Sequence, residues 1–310
     1  MNKTIMVETE IAGKKIRFEA GLLAQQAAGS ATVQLGDTVV FSAVTTSKPR
    51  EGIDFFPLQV EYREKSYAAG RFPGGYFKRE SRPSEKEILV ARMTDRPIRA
   101  LFPDGYRNEV QINNAMLCAD GENDADILCI NAASTSLTLS EIPFMGPIGA
   151  VRVGRMNGQF VINPTHNEIA TSDLNLIYVG TREMMMMIEG SAQEVSEQDM
   201  VAAMKIGHEA VTKLVDAQLQ LRKAMGLPEK VVADQPLNPE LVQKAREIAG
   251  AELAEALLIG GKLERQGKVT AIKEALKAKL LELNPEMEDN KFSQVFDTLE
   301  IETVRKNVLE

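Results

Sequence analysis

Residues 71–87 read RFPGGYFKRESRPSEKE and place two kinds of nucleic-acid-binding side chain next to each other. Tyr76 and Phe77 offer ring faces for unpaired bases, and Lys78, Arg79 and Arg82 carry charge that meets phosphate. Gly74 and Gly75, just ahead of the rings, let the backbone approach a ligand closely. Stacking contributes roughly 1–3 kcal/mol per base whatever the base, so such a tip suits a strand that slides through. The same composition also describes a surface hairpin with solvated charges and a tucked ring. Composition does not decide between the two.

A second series follows in ARMTDRPIRALFP, where Arg92, Arg96 and Arg99 share one helical face if Pro97 does not swing the last away. Three guanidiniums on one face favour polyphosphate, because each can contact oxygens bidentately. The competing reading is ion pairing with Asp95, Asp104 or Glu109, which is expected for at least one of the three. These residues point to an RNA- or phosphate-binding protein and to nothing narrower.

Other chemistries lack their residues. There is no GxxxxGK[ST] loop and no GxGxxG, and His166 and His208 stand apart without zinc-site spacing. Ser134, Thr135 and Ser136 lie in an apolar helix pattern, where small hydroxyls serve close packing and no nucleophile elbow supports a serine. Asp120, Glu122, Asp124 and Asp126 could hold a cation, but acids at a helix start are expected from the dipole alone, and no metal ligands are assigned. Met184–Met187 alternates faces on a strand and reads as core.

The elements that must position these groups are α+β in character. IMVETEI and KKIRFEA flank Gly13 as a hairpin, and ATVQL and TVVFSAVTT flank Gly36-Asp37 as another. FFPLQVEYR is a strand, with Pro57 suggesting a sheet edge. Ser84 and Glu87 form a capping box ahead of a helix that Pro97 is expected to end or kink. A strand over 109–119, a mostly buried helix over 124–139 and a hairpin turning at Asn157-Gly158 follow. LNLIYVGTREMMMMIEG gives two more strands, and Ser196 caps a helix over 197–225 that Gly226 closes. Residues 1 to about 225 thus read as two lobes sharing one core. Past a linker at 228–238, helices are expected over 239–259, 262–282 and 290–309.

A chain of 310 residues allows two or three domains. No apolar run is long enough to span a membrane, and Cys118 and Cys129 form no CxxC, so a reduced cytoplasmic setting and no membrane partner are expected. Between Arg63 and Arg107 eleven Lys/Arg face six Asp/Glu, so the net charge of −8 leaves −13 for the remainder. One basic segment on an acidic body is a focused anion site.

DFFPLQVEYREKSYAAGRFPGGYFKRESRPSEKEILVARMTDRPIRALFPDGY resembles the first ribonuclease-PH-like domain of the bacterial polynucleotide phosphorylase family. GSATVQLGDTVV, LSEIPFMGPIGAVRVGRMNGQFVINPT, SDLNLIYVGTREMMMMIEG and the helical region after 238 extend the likeness over essentially the whole chain. The resemblance implies a ribonuclease-PH-like fold of two lobes, 1–145 and 146–227, then the 228–238 linker and an all-helical domain at 239–310. It also implies 3′→5′ phosphorolysis of RNA to nucleoside diphosphates in mRNA degradation, by a homotrimer with a central channel. Tyr76, Phe77, Lys78 and Arg79 occupy the family's channel loop, Arg82 lies just after it, and Arg92, Arg96 and Arg99 match its arginine-rich helix beside the cleft. The partners implied are single-stranded RNA, inorganic phosphate, nucleoside diphosphates and RNA-degradation complexes. In this family the phosphate site and the Mg²⁺-binding acids lie in a second ribonuclease-PH-like domain, so the expectation here is RNA binding without catalysis. A structural or trimerisation module is the alternative.

Overall fold

The computed structural model describes residues 4–50, 52–53, 55–76, 78–230, 238–285, 287 and 289–310, without the side chain of Asn290. Six strands make the first sheet: β1 (Ile5–Ile11), β2 (Lys14–Ala20), β3 (Gly29–Leu35), β4 (Thr38–Ser47), β5 (Leu58–Arg63) and β6 (Glu109–Cys118). Their order is β1-β2-β3-β4-β6-β5. The β1–β2 turn carries positive φ at both Ala12 and Gly13, the conformation a two-residue hairpin loop demands. β5 pairs parallel to β6, with Leu58 opposite Val110 and Arg63 opposite Ala115. Parallel neighbours need a crossover, and here it carries α1 (Glu85–Arg99). β5 is the sheet edge, as Pro57 suggested.

The second sheet runs β10-β9-β7-β8, built from β7 (Gly149–Met156), β8 (Gln159–Ile162), β9 (Leu174–Gly180) and β10 (Met185–Ala192). α2 (Asp126–Leu139), buried at every residue, packs on β3, β4 and β7, and one hydrophobic core joins both sheets. Close approach is possible because β3 opens with Gly29, where an added Cβ would stand 2.1 Å from the Ser136 carbonyl oxygen. The polar side chains of α2 all find partners. Asn131 brackets Ala150 of β7, donating to its carbonyl (2.8 Å) and accepting its N–H (3.0 Å). Ser134 donates to Gln218 of α4 (Glu197–Ala224) at 2.8 Å and accepts the Ile148 N–H at 2.9 Å. These hydroxyls and amides therefore link α2 to its neighbours as well as permitting close packing.

Two expectations need correction. Pro97 does not end α1, which continues to Arg99, because a missing N–H so near the C-terminus removes one bond from the final turn only. The Met184–Met187 run is not uniformly core: Met184 and Met185 are 58% and 51% exposed and Met187 only 5%. A bulge between Met185 and Met187 breaks the alternation that the reading assumed.

The chain divides into two compact units, Met1–Ala233 and Asp234–Glu310. The second holds α5 (Pro239–Leu257), α6 (Lys262–Leu283) and α7 (Asp289–Leu309). Leu253, Leu276, Leu280, Val295 and Phe296 form its own core, with Lys273 and Lys277 laid over the Phe296 and Phe292 rings. Residues 231–237 of the expected linker lie outside the described residues. No described helix is long and apolar enough to cross a membrane.

Candidate nucleic-acid interface

α1 begins where β5 and the glycine-rich loop meet, and its start is fixed by two residues. Ser84 Oγ accepts the Glu87 N–H at 3.2 Å, while Glu87 returns Oε2 to the Ser84 N–H at 2.5 Å. The other Glu87 oxygen accepts the N–H of Glu64 at 2.8 Å, so the same carboxylate ties α1 to the end of β5. Burial works to raise the Glu87 pKa, but the N–H donors of Ser84 and Glu64 outweigh it and hold the group below the usual range. Glu64 in turn accepts the Tyr62 hydroxyl at 2.7 Å and pairs with Lys86 at 3.0 Å.

Between α1 and β5 lies a cleft of about 580 Å³ whose walls include Arg63, Arg92, Arg96 and Arg99. The three arginines singled out in the sequence share this cleft but not one role. Arg99 is committed to structure: it grips Asp95 bidentately at 2.7 Å and donates to the carbonyls of Phe56 and Leu58. Its guanidinium lies 5.7 Å from the Phe56 ring centre. Arg96 pairs with Glu189 of β10 at 2.6 Å, with both side chains about half exposed. Arg92 is exposed and makes no ion pair or hydrogen bond among the described residues. Sequence reasoning missed Arg63, whose Nη1 is buried with no hydrogen-bond partner among the described residues while Nη2 stands 3.8 Å from Glu61. Its signal was its position, the last residue of the strand that feeds the loop.

The loop ahead of α1 is exposed. Phe72 and Tyr76 are 93% and 94% accessible. Lys78, Arg79 and Arg82 are exposed, and their side chains make no ion pair among the described residues. Lys78 adopts a left-handed φ of 50°, its N–H closing a turn on the Gly75 carbonyl at 3.1 Å. Phe77 lies outside the described residues.

The acidic run 120–126 does not fit a resident Mg²⁺. Asp120 accepts the N–H groups of Glu122 and Asn123, both at 2.8 Å, and that of Asp37 at 3.2 Å. Burial opposes this, yet the bonds led by Asn123 carry its pKa well below the usual range. Asp126 is buried against the Arg152 guanidinium, with burial pushing its pKa up and Arg152 opposing. Asp124 faces Arg152 at 3.4 Å, His166 at 3.0 Å and Lys86 at 3.8 Å. These carboxylates meet cations and N–H donors, and no group of three metal-ligating side chains occurs among the described residues. His208 packs between the Tyr178 hydroxyl and the Arg182 carbonyl, each at 3.1 Å.

Two sheets around a buried helix, with an arginine-lined cleft on the parallel crossover, define the ribonuclease-PH class of fold. Solved structures share it. The Archaeoglobus fulgidus exosome with RNA bound at its active site matches at a TM-score of 0.50 and 18% identity, over 69% of this chain and 87% of that one. A crystal structure of a rice (Oryza sativa) protein matches at 0.53 and 15%, over 71% and 95%. Residues 12–143 match domain 1 of the 3′ exoribonuclease family and residues 146–210 its domain 2, so the chain belongs to that family. Residues 240–310 match the RNA-binding domain of polyribonucleotide nucleotidyltransferase. Polyribonucleotide nucleotidyltransferases of Methylacidiphilum infernorum and Akkermansia muciniphila are each 45% identical over 98% of this chain. That of Koribacter versatilis is 49% identical over 86%. The chain spans 43% of the first two relatives and 33% of the third, under half their length.

Proposed function

We propose that this chain is the RNA-holding N-terminal portion of a 3′→5′ phosphorolytic exoribonuclease, which converts RNA and phosphate to nucleoside diphosphates. The observation that carries the reading is a set of exposed cations that make no ion pair among the described residues: Lys78, Arg79 and Arg82 on the loop that also carries the exposed Phe72 and Tyr76 rings, and Arg92 in the cleft. Single-stranded RNA is the ligand such a surface suits, since rings take any base and the cations take phosphates. Phe77, outside the described residues, offers a ring of the same chemistry in the sequence. Reaction chemistry and Mg²⁺ are assigned outside these residues, because Asp120, Asp124 and Asp126 are committed to cations and N–H groups.

The reading places the protein in the cytoplasm as a homotrimer acting on mRNA with RNA-degradation partners, its lobes dividing at 145/146 and its helical domain starting at 239. A labelled adenosine 12-mer, titrated with the protein at several salt concentrations and then incubated with phosphate and Mg²⁺, tests it. Binding is expected to weaken steeply with salt, as counterion release requires, with no nucleoside diphosphate formed. The combined Tyr76→Ala, Lys78→Ala, Arg79→Ala protein should bind far more weakly. Unchanged binding by that variant would remove the loop from the RNA site. Diphosphate release would put catalysis in the Arg92 cleft.

A further inference from the structure

The recognition loop departs from one residue and returns to it. At its start Arg71 donates its N–H to the Ser66 carbonyl at 3.0 Å, just after Gly70 turns the chain with a left-handed φ of 65°. At its end Glu80 Oε1 accepts both the Ser66 N–H and the Ser66 Oγ–H, each at 2.8 Å. Lys65 adds a bond from its ammonium to the Glu80 carbonyl. All three polar groups of Ser66 are thus spent on closing the neck of a loop whose tip carries Phe72, Tyr76, Lys78 and Arg79. The bonds from the Ser66 N–H and then its hydroxyl hold the Glu80 carboxyl below its usual pKa, so it is an ionised acceptor at neutral pH.

We infer that Glu80 is a positioning residue for RNA: it closes the loop on Ser66 and so presents the rings and cations in a ready arrangement. The inference rests on the proposed role of the loop and adds a residue that its charge argues against. A carboxylate beside Arg79 and Arg82 repels a polyanion, so simple electrostatics makes Glu80 a liability whose removal tightens RNA binding. Positioning has the opposite sign, because an open loop must be ordered at the expense of binding free energy.

The sign is measured by titrating the labelled adenosine 12-mer with the intact chain and with Glu80→Ala and Glu80→Gln, at one salt concentration. Glu80→Ala is expected to bind about three- to tenfold more weakly, the scale of a loop-ordering cost. Glu80→Gln keeps an oxygen acceptor for Ser66 and loses the charge, so it should bind at least as tightly as the unsubstituted protein. Hydrogen exchange at the Ser66 amide should quicken in the alanine variant only, with the thermal midpoint unmoved. Equal or tighter binding by Glu80→Ala would overturn the inference, and so would equal weakening by both variants. Failure of the unsubstituted protein to bind RNA would instead remove the loop's recognition role, and the inference with it.

Discussion

Three arginines one or two helical turns apart divide their labour by what stands within reach. Arg99 has five hydrogen-bonded or stacked contacts, Arg96 has one partner, and Arg92 has none among the described residues. Arg92→Ala should therefore weaken RNA binding several-fold and flatten the salt dependence by about 0.7, one phosphate's share on a single strand. Arg99→Ala should mainly lower stability, by about 1–3 kcal/mol for lost charged hydrogen bonds. Salt-dependent titration and denaturant melts on both proteins separate the two; equal loss of RNA affinity would contradict the division. Lys230 gives a pH-dependent counterpart. Its ammonium donates to the Leu137 carbonyl at 2.6 Å, and burial, then the nearby Arg222 charge, pushes its pKa down to about 7. An unfolded lysine keeps its proton to about pH 10. Between those values the unfolded chain binds more protons, so this group makes stability rise as pH rises from 7 toward 10. Denaturation midpoints over that range should climb less steeply in Lys230→Gln, and an identical climb would exclude Lys230 as the source.

The elements show why some of the site could be read from sequence and some could not. The start of α1 was legible because capping is local: Ser84 and Glu87 are three residues apart and their types suffice. Arg99 with Asp95 was legible for the same reason, being four apart on one helix. Nothing local announces that Arg96 meets Glu189 on β10, 93 residues on, or that the β10 bulge turns Met184 and Met185 outward. Asp124 and Asp126 were ambiguous because their partner Arg152 lies on β7, on the far side of α2 in the chain, where no spacing encodes the docking. Glu87 joins both kinds, local to Ser84 and non-local to Glu64, so Glu87→Ala should cost more than the roughly 1 kcal/mol expected for Ser84→Ala at an N-cap. Equal costs in urea melts would mean that the strand tie contributes nothing. Arg152→Met would remove the guanidinium paired with the buried Asp126 carboxylate between α2 and β7, at a cost of about 3–5 kcal/mol. A loss under 1 kcal/mol would show that Asp126 is already protonated.

At the scale of the molecule, the chain has two cores and not one. Leu128, Ile130 and Ile148 belong to the core joining the two sheets, while Leu276, Leu280 and Val295 belong to the helical core, and the buried clusters are separate. A unit with its own core can unfold as a cooperative whole, so this chain should melt in two transitions where a single domain shows one. Leu276→Ala and Ile130→Ala each remove a fully packed side chain and should cost about 2–5 kcal/mol, but in different transitions. Calorimetry on the two variants makes the comparison direct. Leu276→Ala should shift only the transition of the helical unit, and Ile130→Ala only that of the two-sheet unit. If either variant moves both transitions together, the units are energetically coupled, and RNA held by the loop of the first would then also stabilise the helices of the second.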